Sequence, residues 1–390
     1  VNEEGSWHEW SRNLSTQFLS KQKPSLAQAQ LDMTYESRIN EYERILKLTN
    51  PTVRKKLLET FAEETDSSAV HMKAASLPRQ STHVILPLAK IKPSEVYAPN
   101  FRNGEKVVLV RHPHAGPFEI PELTVNNNNH DGKRMLGQAK DAIGIHHSVA
   151  QILSGADFDG DTVLVIPNNS GKVNKKSPLL GLKNFDPQLA YPGYEGMRPM
   201  SKTSKQRQMG DISNLITDMS IRGASDTELA AAVRHSMVVI DAEKHKLNYK
   251  QSAIDNGITN LKRKYQGSAT SGATTLISKA KKETPVPQRK LRPFSAGGPV
   301  DKKTGELVYV PTNKSYIDKK GKTVYKTSKV EMLSLAKDAR SLSSGTEIET
   351  IYANHSNKLK ALANEARKNA VNTNRATYSP SAKKVYAEQV

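Results

Sequence analysis

The spacing of hydrophobic residues changes twice along the chain, and each spacing predicts a different kind of element. Apolar side chains recur three or four positions apart in residues 26–48 and 52–64, which is typical of amphipathic helices. From Ser81 the apolar residues form short β-branched runs separated by Pro and Gly, which predicts strands at 83–88, 106–111, 122–125 and 162–166. Such nearly continuous apolar runs indicate strands that are buried on both faces, as in a small closed barrel.

Helical spacing returns after residue 202. Residues 205–222, 225–246 and 251–265 predict three helices, and Ser225 with Glu228 forms a capping box at the start of the second. Further on, the pattern predicts a hairpin between 307–310 and 323–325 and helices at 328–340 and 346–371. The polar segment 126–132, with four Asn, is expected to be a mobile loop, and Trp7 and Trp10 are expected to pack in a core.

These patterns predict an α+β protein in which a β-barrel is flanked by helical N-terminal and C-terminal regions. The expected boundaries follow the changes in spacing and composition. They are a helical region at 1–80, the barrel at 81–170, a helical region packed beside it at 171–266, a basic linker with a hairpin at 267–330, and a helical region at 331–390.

Charge and composition narrow the class of protein. The 390 residues contain 58 Lys and Arg against 39 Asp and Glu, a net charge of +19 that attracts polyanions such as nucleic acids. No run of 18 apolar residues and no signal pattern is present, and the absence of cysteine suits a reducing cytoplasm. The chain begins with Val and stops within a predicted helix, which indicates a processed protein or a piece of a longer one.

Three aspartates stand out against this basic background. Asp157, Asp159 and Asp161 occupy alternate positions in Ala156-Asp-Phe-Asp-Gly-Asp and lead directly into an apolar strand. Carboxylates this close raise one another's pKa unless a cation or strong hydrogen-bond donors compensate. Mg²⁺ is the usual compensating ion where phosphate is also bound, so these residues are predicted to be catalytic metal ligands.

Two other interpretations of the aspartates have to be weighed. A solvated Asp-rich turn needs no ion at all. A calcium loop of the EF-hand type requires Gly at its sixth position and Glu at its twelfth, whereas counting from Asp157 gives Thr162 and Asn168. The EF-hand interpretation therefore fails, and a nucleotidyl-transfer metal site is favoured over the solvated turn.

The Asp-Phe-Asp-Gly-Asp run resembles the metal-binding signature of the largest subunit of multisubunit RNA polymerases. Together with Arg111-His-Pro-His114 and His146-His-Ser148, it is still more similar to single-chain RNA polymerases of the RNA-silencing and phage types. The resemblance covers about residues 82–168. It implies a double-psi β-barrel, a catalytic Mg²⁺ held by the three aspartates, a nucleic-acid template, an RNA product and nucleoside triphosphate substrates.

Further residues are assigned to substrate binding. The resemblance implies that Arg111 reaches the nucleotide or the primer terminus, and His112 beside it is a second candidate. Lys202 and Lys205, in a basic patch at the end of a long polar connection, are also expected to bind substrate. A second metal site made by the histidines is a weaker alternative, because His side chains also serve as hydrogen-bond partners of loops or phosphate. Phe158 is expected to pack into the barrel.

The chain departs from the family pattern in two ways. Multisubunit relatives carry Asn two residues before the first aspartate, where it helps to sense the ribose hydroxyls, and here that position is Gly155. The relatives also have a second barrel, N-terminal to this one, that supplies paired lysines to the nucleotide phosphates. The 80 residues before Ser81 cannot hold it, so a partner chain or another segment is expected to supply it.

The sequence therefore predicts the metal-binding catalytic portion of a phage-like RNA polymerase, located in the host cytoplasm or packaged in the virion, with no membrane partner. Two rivals stay open. One is a virion or nucleic-acid-binding protein that keeps the barrel as a non-catalytic scaffold, and the other is a Mg²⁺-dependent nuclease that uses the same carboxylates.

Overall fold

The computed structural model describes residues 11–153, 156–182, 184–374, 379–381 and 384. Trp7, Trp10 and Gly155 lie outside the described residues. The strands are β1 Asn13–Leu14, β2 Ala74–Ala75, β3 Ser81–Pro87, β4 Glu95–Tyr97, β5 Lys106–Val110, β6 Glu122–Val125, β7 Ala142–Ile145, β8 Thr162–Pro167, β9 Glu283–Pro287, β10 Arg289–Leu291, β11 Tyr309–Pro311, β12 Ser315–Ile317, β13 Thr323–Tyr325 and β14 Thr327–Glu331.

The helices lie before, between and after these strands in the sequence. Every described helix is too short or too polar to span a lipid bilayer. They are Thr16–Leu19, Pro24–Leu46, Pro51–His71, His130–Leu136, His147–Ala150, Pro187–Ala190, Lys202–Ile221, Asp226–Asp241, Tyr249–Asp255, Ile258–Gln266, Leu276–Lys279, Met332–Leu335 and Glu347–Asn372.

The chain divides into two compact units. Unit 1 consists of the described residues within Val1–Leu31, Lys73–Ala280 and Ala339–Ala353. Unit 2 consists of those within Asp32–Met72, Lys281–Asp338 and Asn354–Val390.

Unit 1 contains a closed barrel of six strands in the order β3-β7-β4-β6-β5-β8, with β8 paired back to β3. The pairs β3–β7 and β4–β6 are parallel, and the remaining neighbours are antiparallel. Because strands that are distant in sequence become neighbours, the connections cross the ends of the barrel. The expected fold class, α+β with a barrel and flanking helical regions, is confirmed.

Alternating residues of the strands fill the barrel. Val107 and Leu109 of β5 and Val163 and Val165 of β8 belong to one buried cluster in its interior. The intervening residues of β8 are also buried, since all of Thr162–Ile166 is at most 3% exposed. The prediction that these strands are covered on both faces is therefore confirmed for β5 and β8.

Two strands of the barrel, β4 and β7, were not predicted. They have only three and four residues, and β7 contains Gly144. A Cβ atom at Gly144 would lie 2.3 Å from a methyl group of Leu88, so the close packing of Leu88 on β7 requires glycine there. Gly144 therefore interrupts the apolar run from which a strand would have been predicted.

The prediction of a loop at 126–132 is wrong for residues 130–132, which begin the helix His130–Leu136. The Asn127 side chain accepts a hydrogen bond from the Ala98 N–H (3.0 Å) and donates to the Phe101 carbonyl (2.9 Å). Asn129 caps the helix His130–Leu136 by accepting the Gly132 N–H at 2.8 Å. The asparagines therefore tie this turn to its neighbours, because their amides satisfy backbone groups that no strand pairs with.

The helices that follow the barrel form a second part of unit 1. Lys202–Ile221 and Asp226–Asp241 pack together over a buried apolar cluster that includes Leu215 and Val233. The capping box of Ser225 and Glu228 is confirmed. The helix predicted at 251–265 is divided at Asn256-Gly257 into Tyr249–Asp255 and Ile258–Gln266.

A buried carboxylate, Asp218, fixes the segment after these helices. Its two oxygens accept hydrogen bonds from the amide or hydroxyl groups of Thr274, Thr275 and Ser278 and from the Gln266 side chain. A fully buried carboxylate is stable in this place because every donor around it compensates for its lost hydration. Asp218 is thus a structural anchor.

Unit 2 has a helical part with its own core. Tyr42 stacks on Phe61 at 5.7 Å between ring centroids, and both contact the apolar face formed by Leu362 and Ala366. The Arg367 guanidinium pairs with Asp66 in the same part of the unit. These contacts join the ends of helices that are far apart in the sequence.

The other part of unit 2 consists of three antiparallel two-stranded arms, β9–β14, β10–β11 and β12–β13, which meet where Gln288, Thr312 and Lys326 exchange backbone hydrogen bonds. The hairpin predicted between 307–310 and 323–325 has a different pairing: β13 pairs with β12, and β11 pairs with β10. The helix predicted at 328–340 is also wrong, since Thr327–Glu331 is a strand that pairs with β9. The partner of β13 is nearer in the sequence than predicted, whereas the partner of β14 is about 40 residues away.

Candidate metal and nucleotidyl-transfer site

The three aspartates lie on the loop that enters β8 in unit 1. One carboxylate oxygen of each lies within 4.8 Å of those of the other two. Asp157 and Asp159 are exposed, whereas Asp161 is only 4% exposed at the edge of the barrel. Among the described residues, this is the one group of three or more His, Asp or Glu side chains that is close enough to share an ion.

The backbone of this loop is bent by two residues with positive φ. Gly160 has a φ of 115°, which side chains rarely allow, and Phe158 has a φ of 63° in the left-handed region. Phe158 packs against the apolar interior of the barrel, which confirms its expected role. The packing of the partly buried ring holds a backbone conformation that is costly for an aromatic residue, and the resulting turn brings the three carboxylates together.

Asp161 is held by a buried ion pair. The Arg111 guanidinium donates to the same Asp161 oxygen, Oδ1, from Nη2 at 2.6 Å and from Nε at 3.0 Å. The other oxygen accepts the Asp157 N–H at 2.8 Å. Arg111 directly follows β5, which pairs with β8, so the two side chains meet across neighbouring strands. This arrangement fixes both the Asp161 carboxylate and the start of the acidic loop.

Asp159 shows how strongly the negative charges interact. Its N–H donates to Asp157 Oδ1 at 3.3 Å. The hydrogen bond between its carboxyl group and Asp157, with partial desolvation and the charges of Asp157 and Asp161, raises the Asp159 pKa above its ordinary value, and Lys244 opposes this. A bound cation would remove the cause of the raised pKa.

One basic residue, Lys244, contacts the acidic loop, and a second, Lys205, pairs with the residue before Lys244. Lys244, just after Asp226–Asp241, places its Nζ atom 3.7 Å from Asp157 Oδ2, and its side chain is 60% exposed. Lys205 places its Nζ atom 3.9 Å from Glu243 Oε2. Burial raises the pKa of Asp241, the last residue of the helix Asp226–Asp241. The nearby side chains of His245, Lys205 and Lys244 oppose this shift.

Lys244 had no predicted role. The only signal in the sequence is its place in the run Asp241-Ala-Glu-Lys244 at the end of a predicted helix. That run does not reveal which loop the helix end approaches. The approach of Lys244 to Asp157 depends on the packing of the helices beside the barrel.

The other predicted substrate residues have different environments. His112 is partly buried, and its burial, followed by the charges of Lys21 and Arg111, lowers its pKa to about 4, so the imidazole is neutral near pH 7. Lys202 is exposed at the start of the helix Lys202–Ile221, three residues before Lys205 and therefore on the same side of that helix. Their contact with a substrate stays a prediction.

The histidines do not assemble a second metal site among the described residues. His114 is buried against the Phe18 ring, and burial lowers its pKa well below the ordinary value. His146 caps a short helix by accepting the Ser148 N–H, and its ring lies 4.1 Å from that of His147. These contacts are structural and need no metal.

A small cavity lies next to the loop that follows Arg111. Its volume is about 30 Å³, enough for about two water molecules. Lys21 donates to the His114 carbonyl at 2.6 Å beside it, and burial, opposed by Glu119, lowers the Lys21 pKa to about 8.

The acidic loop fits a hard divalent ion. Mg²⁺ binds oxygen ligands at about 2.1 Å in an octahedron, which places opposite ligands about 4.2 Å apart. The aspartate oxygens lie within 4.8 Å, so small side-chain rotations bring them into range. Asp161 Oδ1 already accepts two hydrogen bonds from Arg111, whereas Oδ2 accepts one and keeps a second lone pair for a metal.

Comparisons with known proteins were made for sequence and for structure. No protein-family model and no curated protein matches the chain. Among solved structures, the chain is similar to the RNA-dependent RNA polymerase QDE-1 from Thielavia terrestris, with a TM-score of 0.47 and 14% identity over 68% of this chain and 39% of that polymerase. The chain thus spans well under half the length of that polymerase. Its function has to be inferred from its own residues.

Proposed function

We propose that the chain is the metal-binding catalytic portion of a phage-like, nucleic-acid-templated RNA polymerase that transfers nucleotides from nucleoside triphosphates with Mg²⁺. The observation that carries this proposal is the convergence of Asp157, Asp159 and Asp161 on one strained loop at the edge of a closed barrel. A basic chain with a net charge of +19 supports a nucleic-acid partner.

The residues of the site have separate tasks in this proposal. A bound Mg²⁺ would neutralise phosphate charge and activate the attacking 3′ hydroxyl. Asp159 and Asp157 supply exposed ligand oxygens, and Asp161 supplies one that the barrel holds in place. Arg111 acts through Asp161, because both of its contacts with that residue are buried.

Cationic side chains around the loop are placed to meet the substrate. We assign Lys244 and Lys205 to the negative oxygens of the triphosphate, and the supporting contacts are those of Lys244 with Asp157 and of Lys205 with the neighbouring Glu243. In the proposal, Lys202 and His112 also bind the substrate. A second barrel, from another segment or another chain, supplies the remaining lysines, and the assembly works in the host cytoplasm or from the virion.

The test is nucleotide addition by the complete assembly with Asp159→Asn. We expect template-dependent incorporation of labelled nucleotides to fall to background, because the variant removes an exposed ligand and keeps the side-chain shape. Asp211→Asn, at an exposed position of the helix Lys202–Ile221, is the matched control and should keep full activity. Full activity of Asp159→Asn would refute the assignment.

The same assay separates the two rivals. A Mg²⁺-dependent nuclease would shorten labelled RNA or DNA in the absence of nucleotides and would lose that activity in Asp159→Asn. A binding protein with a non-catalytic barrel would leave the nucleic acid unchanged with or without nucleotides. Extension that requires both template and nucleoside triphosphates supports the polymerase.

A further inference from the structure

The arm β12–β13 of unit 2, residues 314–326, is a hairpin with a well-formed turn, and we call it the lysine hairpin. Its strands pair Ser315 with Tyr325 and Ile317 with Thr323. At the turn, Asp318 Oδ1 accepts the N–H groups of Lys320 (2.8 Å) and Lys322 (2.9 Å). The turn therefore has a defined shape that presents the side chains between and beside these residues.

The lysine hairpin is strongly positive. It contains five lysines against one aspartate, a net charge of +4 in 13 residues. All five lysines are exposed, and the aspartate already accepts two backbone N–H groups of the turn. The lysines are Lys314, Lys319, Lys320, Lys322 and Lys326. Such a concentration of ammonium groups attracts phosphates.

Large apolar and aromatic side chains lie between the lysines. Ile317 is 72% exposed and Tyr325 64% exposed on one face, and Tyr316 is 52% exposed on the other. Tyr325 is the cross-strand partner of Ser315, and Ile317 lies two residues after Ser315 on the same strand. Ile317 and Tyr325 therefore lie on the same face of the hairpin. Side chains this exposed add little to the stability of two three-residue strands. The exposure of these apolar and aromatic side chains therefore indicates a binding role.

We propose that the lysine hairpin binds single-stranded nucleic acid, with its lysines on the phosphates and its tyrosines against the faces of unpaired bases. Charge complementarity selects a polyanion, and exposed aromatic rings between cations are what stacks on bases in single-strand binding proteins. A duplex offers the same phosphates and hides its base faces. The proposal concerns unit 2 alone and does not require the aspartates of unit 1 to be catalytic.

The first test removes the charges of the turn. The variant Lys319→Gln/Lys320→Gln/Lys322→Gln in the full chain is titrated against labelled single-stranded RNA and DNA by fluorescence anisotropy at several salt concentrations. We expect Kd to rise at least about tenfold at low salt. The slope of log K against log salt should become shallower by about 2, since each phosphate contact to a single strand contributes about 0.7.

The matched control removes three lysines elsewhere in unit 2. Lys47, Lys55 and Lys56 lie at the adjoining ends of two helices, and their replacement by Gln changes the net charge by the same amount. We expect the control to change Kd much less than the hairpin variant. An equal loss in both variants would mean that only overall charge matters and would overturn the proposal. Circular dichroism confirms that each variant is folded.

The second test addresses the aromatic contact. Tyr325→Ala should weaken binding to single strands about fivefold or more and leave duplex binding unchanged, because only unpaired bases offer a face for stacking. Tyr194→Ala, which removes an equally exposed tyrosine (64%) from unit 1, should have no effect. Equal losses for single strands and duplex, or tight binding of polyglutamate at the lysine hairpin, would overturn the single-strand assignment.

Discussion

At the scale of single residues, the ion pair of Arg111 and Asp161 determines how the acidic loop is held. Both side chains are buried, at 9% and 4% exposure, and Arg111 makes two hydrogen bonds to one oxygen. A buried charge is costly without its partner, so the pair acts as a unit. Arg111 therefore links the conformation of the loop to the stability of the barrel.

Arg111→Met should lower the free energy of unfolding by about 3–5 kcal/mol, because it leaves the Asp161 carboxylate buried without a cation. Chemical denaturation measures the loss. Adding Asp161→Asn to this variant should restore part of the stability. Arg134→Met, which breaks an exposed pair with Asp131, is the control and should cost less than about 1 kcal/mol. A cost for Arg111→Met no larger than that of the control would contradict the role of the buried pair.

The Asp159 carboxyl should titrate above the ordinary range for aspartate. Its pKa is raised by the hydrogen bond with Asp157, by partial desolvation and by the neighbouring negative charges. Because protons compete with a metal for the carboxylate, metal affinity should begin to fall at a higher pH than for an isolated aspartate. NMR titration should show that Asp157→Asn moves the Asp159 pKa down. No movement would contradict the coupling.

At the scale of elements, the helix Asp226–Asp241 depends on its capping box. Glu228 accepts hydrogen bonds from Lys264 and Tyr265 and from the Ser225 cap, and these contacts, in that order, lower its pKa to about 2. A carboxylate with a lowered pKa stabilises the fold above its unfolded pKa, and this contribution is lost as the pH falls toward the folded value.

Glu228→Gln should therefore destabilise unit 1 by about 1 kcal/mol near neutral pH. The difference from the unaltered chain should shrink as the pH is lowered from about 4.5 toward 2, since both chains then lack the charge. Thermal unfolding followed across this range gives the measurement. Asp226→Asn, at an exposed first-turn position, is the control. A difference that grows as the pH falls would contradict the assigned sign.

The sequence predicted those elements whose pattern is local. The apolar runs of β5 and β8, the capping box and the long helices were found because each carries its own signal. The strands β4 and β7 and the arms β9–β14 and β10–β11 were missed, because they depend on partners that are distant in the chain. A strand of three or four residues has too few apolar positions to be predicted from its own sequence.

The same division applies to the candidate site. The three aspartates were recognised from their spacing alone. The pairing of Arg111 with Asp161 and the approach of Lys244 to Asp157 were not predicted. Both depend on three-dimensional contacts between a strand or helix end and the loop, and no local pattern encodes them.

At the scale of the whole molecule, net charge and metal chemistry are separate properties. The net charge of +19 supports binding to polyanions, whereas the acidic loop is a small negative region within it. Replacing the exposed Asp157 and Asp159 by Asn should leave Kd for single-stranded nucleic acid within roughly twofold at moderate salt, because Lys and Arg contacts with phosphate carry this binding. Anisotropy titration measures this. A large loss of binding would contradict the separation of the two properties.

The most direct measurement is Mn²⁺ binding followed by electron paramagnetic resonance, with Mn²⁺ in place of Mg²⁺. The unaltered chain should bind Mn²⁺ at a site that Asp159→Asn weakens at least about tenfold and that Asp211→Asn leaves unchanged. Equal Mn²⁺ binding by the unaltered chain and Asp159→Asn would contradict the account, because the three carboxylates would then not hold a metal.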